Sequence, residues 1–132
     1  MVCVDPWDKA KKNKIFNKRI FDNFIFNLKN FKNKFDYFKM TSDDFFLKNK
    51  TNFDVIYIDG WHGTSQVSKD INNSWKFLNK NGIMICDDYF HGDIYKNSYK
   101  DIPAPAINNF ISKNKDKLKI LCVNNNQIFI KK

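Results

Sequence analysis

The sequence is poor in glycine, cysteine and histidine, with four, three and two residues among 132. So little glycine excludes a collagen-like repeat or a flexible linker. The cysteine number is odd and no C-x-x-C occurs. With His62 and His91 the sole histidines, a structural zinc site is not expected. Cys3, Cys86 and Cys122 each sit inside an apolar run, where a free thiol behaves as a small hydrophobe. That usage points to a reduced, cytoplasmic setting. No apolar run approaches the roughly 20 residues of a membrane span, so no membrane partner is expected. Met1 to Asp5 carries no basic region ahead of a long apolar stretch, so no signal peptide is expected either.

What the sequence does have is core material. At 42% hydrophobic and 17% aromatic it can pack an interior, and 132 residues suit a single domain, 1–132. Lys and Arg number 23 against 14 Asp and Glu, a net charge of +9. Such a balance invites a nucleic-acid partner when the charge is patterned. Here the lysines run along the whole chain and, with asparagine, fill its polar positions, which argues against a nucleic-acid face.

Val2-Cys3-Val4 reads as a short strand stopped by Asp5-Pro6-Trp7. A Lys/Asn-rich stretch from Asp8 to Lys14 follows. Phe16, Ile20, Phe24, Leu28 and Phe31 then recur every three or four residues, which predicts a long amphipathic helix. Phe35 to Met40 reads as a second strand, and Thr41-Ser42-Asp43-Asp44 as the cap of a short helix. Phe53 to Ile58 is a near-continuous apolar run, the mark of a strand covered on both faces in a parallel sheet. After Asp59-Gly60-Trp61-His62-Gly63, Thr64 or Ser65 is expected to cap a helix carrying Val67, Ile71, Trp75 and Leu78 on one face, with Asn81-Gly82 ending it. Ile83 to Cys86 is a further buried strand, stopped by Asp87-Asp88-Tyr89. Phe90 to Ile102 is a polar, aromatic loop. Pro103 and Pro105 open a helix with Ala106, Ile107, Phe110 and Ile111. Leu118 to Val123 and Gln127 to Ile130 form a closing hairpin around Asn124-Asn125-Asn126. Strands alternating with helices predict an α/β fold with a parallel sheet and helices on both faces.

Ligands in such folds bind beyond the carboxyl ends of the strands, where this chain places Asp5, Asp59 and the pair Asp87-Asp88. Asp5 suits a ribose diol, since a carboxylate accepts from both hydroxyls. It equally suits a turn before proline. Asp59, Asp87 and Asp88 end strands expected to be neighbours, about 4.8 Å apart. Their oxygens could converge on a hard cation such as magnesium, or remain solvated loop acids. His62 could serve as a general base or a site ligand, or be a surface loop histidine, and His91 is a weaker candidate. Trp61, Tyr89 and Phe90 could wall a substrate pocket or pack as a lid.

Three segments carry a family resemblance: Val2 to Trp7, Phe53 to His62 (FDVIYIDGWH) and Gly82 to Tyr89 (GIMICDDY). Together they resemble the class I S-adenosylmethionine-dependent methyltransferases, nearest to methyltransferase domain family 24 and the macrocin-type metal-dependent sugar O-methyltransferases. The resemblance runs over nearly the whole chain. It implies a Rossmann-like sheet of strand order 3-2-1-4-5-7-6 with a C-terminal antiparallel hairpin. It implies that Asp5 binds the cofactor's ribose and that Thr41, Ser42 and Asp43 lie beside its adenine. It further implies that Asp59, Asp87 and Asp88 hold a divalent metal, usually Mg2+, that orients an acceptor hydroxyl, with His62 or Asp59 taking the proton. The implied activity is O-methylation of a small, sugar-like acceptor.

The chain departs from this family at one place. Residue 1 falls at the family's second strand, and no G-x-G-x-G occurs, so the first strand and helix with their glycine-rich loop are not matched. The expectation is an N-terminally truncated methyltransferase domain, inactive as this chain alone. The alternatives are a basic nucleic-acid-binding module and a non-catalytic methyltransferase remnant.

Overall fold

A computed structural model describes residues 1–7, 14–91, 102–124 and 126–132. Most of the Lys/Asn-rich stretch after Trp7, most of the Phe90 to Ile102 loop, and Asn125 lie outside the described residues. The chain divides into two compact units, Met1–Asn49 and Lys50–Lys132.

The first unit holds β1 (Val2–Val4), α1 (Lys14–Asn27), β2 (Asp36–Phe38) and α2 (Ser42–Lys48). β1 and β2 pair in parallel, Val2 opposite Asp36 and Val4 opposite Phe38. Neighbouring strand residues face opposite sides of a sheet, and here that alternation seats a helix on each. Tyr37 packs against Phe21 and Phe24 of α1 and against Trp7, with ring centroids 5.5, 6.1 and 6.3 Å apart. Phe38, on the other face, meets Phe45 of α2 at 5.4 Å. β2 is shorter than the expected Phe35 to Met40, because the Met40 amide turns back to the Phe38 carbonyl. Thr41 caps α2 as expected: its Oγ1 accepts the Asp44 amide at 3.1 Å. Asp43 and Asp44 in the first turn oppose the helix dipole.

The second unit holds β3 (Phe53–Ile58), α3 (Thr64–Phe77), β4 (Leu78–Cys86), α4 (Ala104–Asn114), β5 (Lys119–Asn124) and β6 (Gln127–Lys131). Its sheet runs β3-β4-β6-β5, with the first pair parallel and the other two antiparallel. Within each unit the strand neighbours match the resemblance: β1-β2 corresponds to its 2-3 pair and β3-β4-β6-β5 to its 4-5-7-6 run. The helical stripe of α3 (Val67, Ile71) and that of α4 (Ala106, Ile107, Phe110) pack with Met84, Cys86, Ile128 and Ile130 into one core. The strand residues between these, Val55, Tyr57, Ile83, Ile85 and Phe129, point away from that core and are half-buried or exposed.

Four expectations are corrected here. The cap of α3 is Gly63, whose carbonyl receives the Gln66 and Val67 amides at 2.9 and 3.0 Å. The Thr64 hydroxyl instead donates to the Ile102 carbonyl. The helix ends at Phe77, before Asn81-Gly82, because Leu78 goes into the core and pairs with Phe53 as the start of β4. Lys132 Nζ closes the helix end, donating to the Trp75 and Leu78 carbonyls at 2.6 and 2.8 Å. Asn81 is left-handed (φ 66°) within β4, where the register against β3 shifts. Cys122 lies exposed on the edge strand β5, whereas Cys86 is buried and its thiol pushed up to about 12 by desolvation.

Gly82 is buried, and a Cβ there would sit 2.9 Å from the Asn79 carbonyl and from the Leu78 side chain. Gly82→Ala is therefore expected to cost about 1–3 kcal/mol through overpacking, read as a lowered urea midpoint at unchanged slope.

Candidate functional site

The parallel β3-β4 ladder decides where the polar residues go. Ile58 lies opposite Cys86, and the Asp87 amide continues the ladder to the Ile58 carbonyl at 2.9 Å. Both strands therefore end at the same edge, and the loops 59–63 and 87–91 leave it side by side. A cleft opens there with about 280 Å3 of space, part of it open to solvent. Asp59, Trp61, His62, Asp87 and Asp88 line it, with the buried Asp70 of α3 behind them.

Asp87 is held by its neighbours. The Tyr57 hydroxyl donates to Asp87 Oδ2, and the Asp88 amide donates to Asp87 Oδ1. Gln127 Nε2 in turn donates to the Tyr57 oxygen at 3.0 Å. The hydrogen bond from Tyr57 holds the Asp87 carboxyl below the usual carboxylate range. The same bond, helped by desolvation and the charges of Asp87 and Asp59, pushes the Tyr57 phenol up to about 12.

Asp88 adopts a left-handed backbone (φ 55°), a region that aspartate, like glycine and asparagine, enters more readily than most residues. Asn126, beside the β5-β6 turn, holds it there. Its Nδ2 donates to Asp88 Oδ1, its carbonyl accepts the Tyr89 amide and its Oδ1 accepts the Phe90 amide, each at 2.7 Å. Asp88 Oδ2 reaches His62 Nε2 at 2.7 Å. His91, brought round by its amide bond to the Asp88 carbonyl, places Nδ1 3.7 Å from Asp88 Oδ1. The two imidazole centroids are 4.1 Å apart.

The three aspartates of the metal expectation thus share one cleft, but their oxygens do not form a ligand trio. Both Asp87 oxygens are engaged by Tyr57 and the Asp88 amide. Among the described residues, the trio whose ligand atoms lie within 4.8 Å of one another is His62, Asp88 and His91. One oxygen each from Asp59, Asp87 and Asp88 does not come as close together as the atoms of that trio.

In the first unit, Asp5 Oδ1 accepts the Trp7 amide at 2.6 Å, the turn-holding role that was one of its two readings, and the residue is exposed. Thr41 is occupied as the α2 cap, and its hydroxyl also donates to Asp44 at 2.8 Å. Ser42 and Asp43 are half-buried at the start of that helix. Trp61 lines the cleft while 78% exposed, and Phe90 is also exposed. Tyr89 bonds instead to Asn108 of α4.

Sequence reading did not find Asp70, Tyr57, Asn126 or Gln127 as parts of this site. Asp70 had a visible signal, an acid on the inward stripe of α3 between Val67 and Ile71. Its Oδ2 would be 3.4 Å from a Cβ added at Gly60, so it lies directly under the cleft loop. Asn126 and Gln127 had no such signal, since Asn126 acts on Asp88, 38 residues distant in sequence, and Gln127 on Tyr57, 70 residues distant.

A family model for a methyltransferase domain matches residues 1–89. No curated protein sequence matches the chain. Among solved structures it is similar to a Corynebacterium glutamicum protein, with TM-score 0.68, 11% identity and coverage of 99% of this chain and 59% of that one. It is similar to an O-methyltransferase from Bacillus cereus in complex with SAH, with TM-score 0.64, 14% identity and coverage of 99% and 62%. It is also similar to the O-methyltransferase TomG of Streptomyces achromogenes, involved in tomaymycin synthesis and solved with SAM, with TM-score 0.55, 9% identity and coverage of 98% and 60%. The chain spans about three-fifths of the length of these three structures. At such identities the likeness is one of fold.

The Tyr57–Asp87 bond makes a pH prediction. A phenol whose ionisation is raised by folding contributes stability that is present below its ordinary value near 10 and lost as pH rises through about 12. In absorbance titrations, the difference between the protein and Tyr57→Phe is expected to show a phenol ionising near pH 12. In Asp87→Asn, where the negative acceptor is gone, that step should fall back toward about 10. An unshifted step in the parent protein would contradict the bond.

Proposed function

The chain belongs to the methyltransferase domain family, and from that premise we propose that it serves S-adenosylmethionine-dependent methyl transfer to the hydroxyl of a small, sugar-like acceptor. The observation that carries this reading is the convergence of loops 59–63 and 87–91 at the carboxyl edge of a parallel strand pair, with acid and imidazole groups lining one cleft. Relatives of the same fold are O-methyltransferases seen with SAM or SAH.

The residues suit the adenosine end of such a cofactor. Asp5 stands at the carboxyl end of β1 with one oxygen fixed by the Trp7 amide, which presets the carboxylate for a ribose diol. Thr41, Ser42 and Asp43 begin α2 just beyond β2 and are the proposed adenine neighbours. When bound, the sulfonium supplies a methyl group already electrophilic enough for direct displacement. What remains for the protein is alignment and exclusion of water. The acceptor oxygen gives up its proton to His62 or Asp59, both at the cleft, as it gains the methyl carbon. Asp88 keeps the His62 ring in place through its Nε2 contact. Trp61 offers an exposed aromatic face to an acceptor.

Isothermal titration calorimetry with S-adenosylhomocysteine tests the cofactor half. Saturable one-to-one binding is expected, weakened about 10- to 100-fold in Asp5→Ala by loss of a charged acceptor. Asp5→Asn keeps an acceptor for the Trp7 amide and separates ligand loss from turn loss. Absence of saturable heat, or full affinity in both variants, would contradict the reading.

A further inference from the structure

We propose that His62, Asp88 and His91 form a binding site for a divalent first-row transition metal of the cobalt–nickel–zinc class. The site differs from the oxygen-only magnesium trio in both its residues and its chemistry.

Geometry comes first. One ligand atom from each of the three residues lies within 4.8 Å of the others, although they come from two loops. Asp88 faces both histidines, its Oδ2 2.7 Å from His62 Nε2 and its Oδ1 3.7 Å from His91 Nδ1. An ion at about 2.0–2.2 Å from each donor needs them some 3–3.5 Å apart in tetrahedral geometry. Small rotations of two partly exposed imidazoles close that gap.

Charge and donor chemistry come next. Two neutral imidazoles and a carboxylate carry one negative charge, which a divalent cation offsets. Two nitrogens and one oxygen suit zinc, cobalt or nickel, whereas magnesium asks for six oxygens in near-octahedral array. Three protein ligands leave at least one position open, the pattern of catalytic rather than structural metal sites.

The supporting shell is already built. A ligand carboxylate is normally oriented by a further hydrogen bond, and Asn126 Nδ2 supplies it to Asp88 Oδ1 at 2.7 Å. The other two Asn126 bonds, to the Tyr89 and Phe90 amides, fix the turn between Asp88 and His91. That staple holds the left-handed turn at Asp88, and its two carboxylate oxygens face the two rings.

The site stands on these three side chains whether or not the chain transfers methyl groups. Its use in catalysis, an acceptor hydroxyl at the open position, rests on the reading above. With the ion seated His62 is a ligand, and the proton falls to Asp59.

Calorimetric and visible-absorption titration of the protein with cobalt(II), alongside magnesium, tests the proposal. One cobalt per chain with ligand-field bands is expected, bound more tightly than magnesium. His91→Ala and His62→Ala should each weaken cobalt more than about 10-fold, since even outer-shell losses cost about 10–100-fold. Asn126→Ala should fall within that outer-shell range. Far-UV circular dichroism confirms the fold of each variant. Magnesium binding as tightly as cobalt, retained affinity in both histidine variants, or no saturable binding at all would overturn it. Cobalt binding without S-adenosylhomocysteine binding would sustain the metal site while removing the cofactor reading.

Discussion

The second unit depends on the parallel register of β3 against β4. Val55 opposite Ile83, Ile56 opposite Met84 and Ile58 opposite Cys86 send both strands toward the same edge. A parallel pair alone brings two carboxyl ends together; an antiparallel pair would separate Asp59 from Asp87 by the length of the sheet. Register is in turn fixed by burial. Met84 and Cys86 must face α3 and α4, and a slip by one residue would turn Ile83 and Ile85 inward and Met84 and Cys86 out of the core. The cleft is therefore a consequence of core packing one strand-length away from it.

At the strand ends the controlling interactions become polar. Tyr57 and the Asp88 amide occupy Asp87, while Asn126 and His62 engage Asp88. Adjacent carboxylates thus acquire different partners, one bound into the sheet and one directed at imidazoles. A pair of acids that reads alike in sequence becomes one group tied to the sheet and one group facing two imidazoles.

Much of this was legible in the sequence. Apolar runs at Phe53 to Ile58 and Ile83 to Cys86 declared neighbouring parallel strands, and their acidic stops marked the edge where the cleft lies, but Val55 and Tyr57 are exposed, so the cover expected on both faces of β3 is not found within the second unit. The stripe at Val67 and Ile71 declared α3, and Thr41 declared the cap of α2. The end of α3 was not legible, because Asn81-Gly82 looks like a local stop whereas Leu78 is drawn into the core and Lys132 closes the helix from the far end of the chain. Nor was the role of Asn126. It read as a hairpin asparagine, and its three bonds to residues 88–90 depend on β6 pairing with β4. His91 read as the weaker histidine because its approach to Asp88 comes from a backbone turn that composition does not encode. Local rules found the elements; the partners that couple distant elements needed the fold.

The central claim is that loops 59–63 and 87–91 act as one site at the shared edge of β3 and β4. Amide NMR spectra of the protein titrated with S-adenosylhomocysteine test it most directly. Resonances of Asp59 to His62 and of Asp87 to Phe90 are expected to move together, with one common dissociation constant. Shifts confined to one loop, or separate constants for the two, would contradict it.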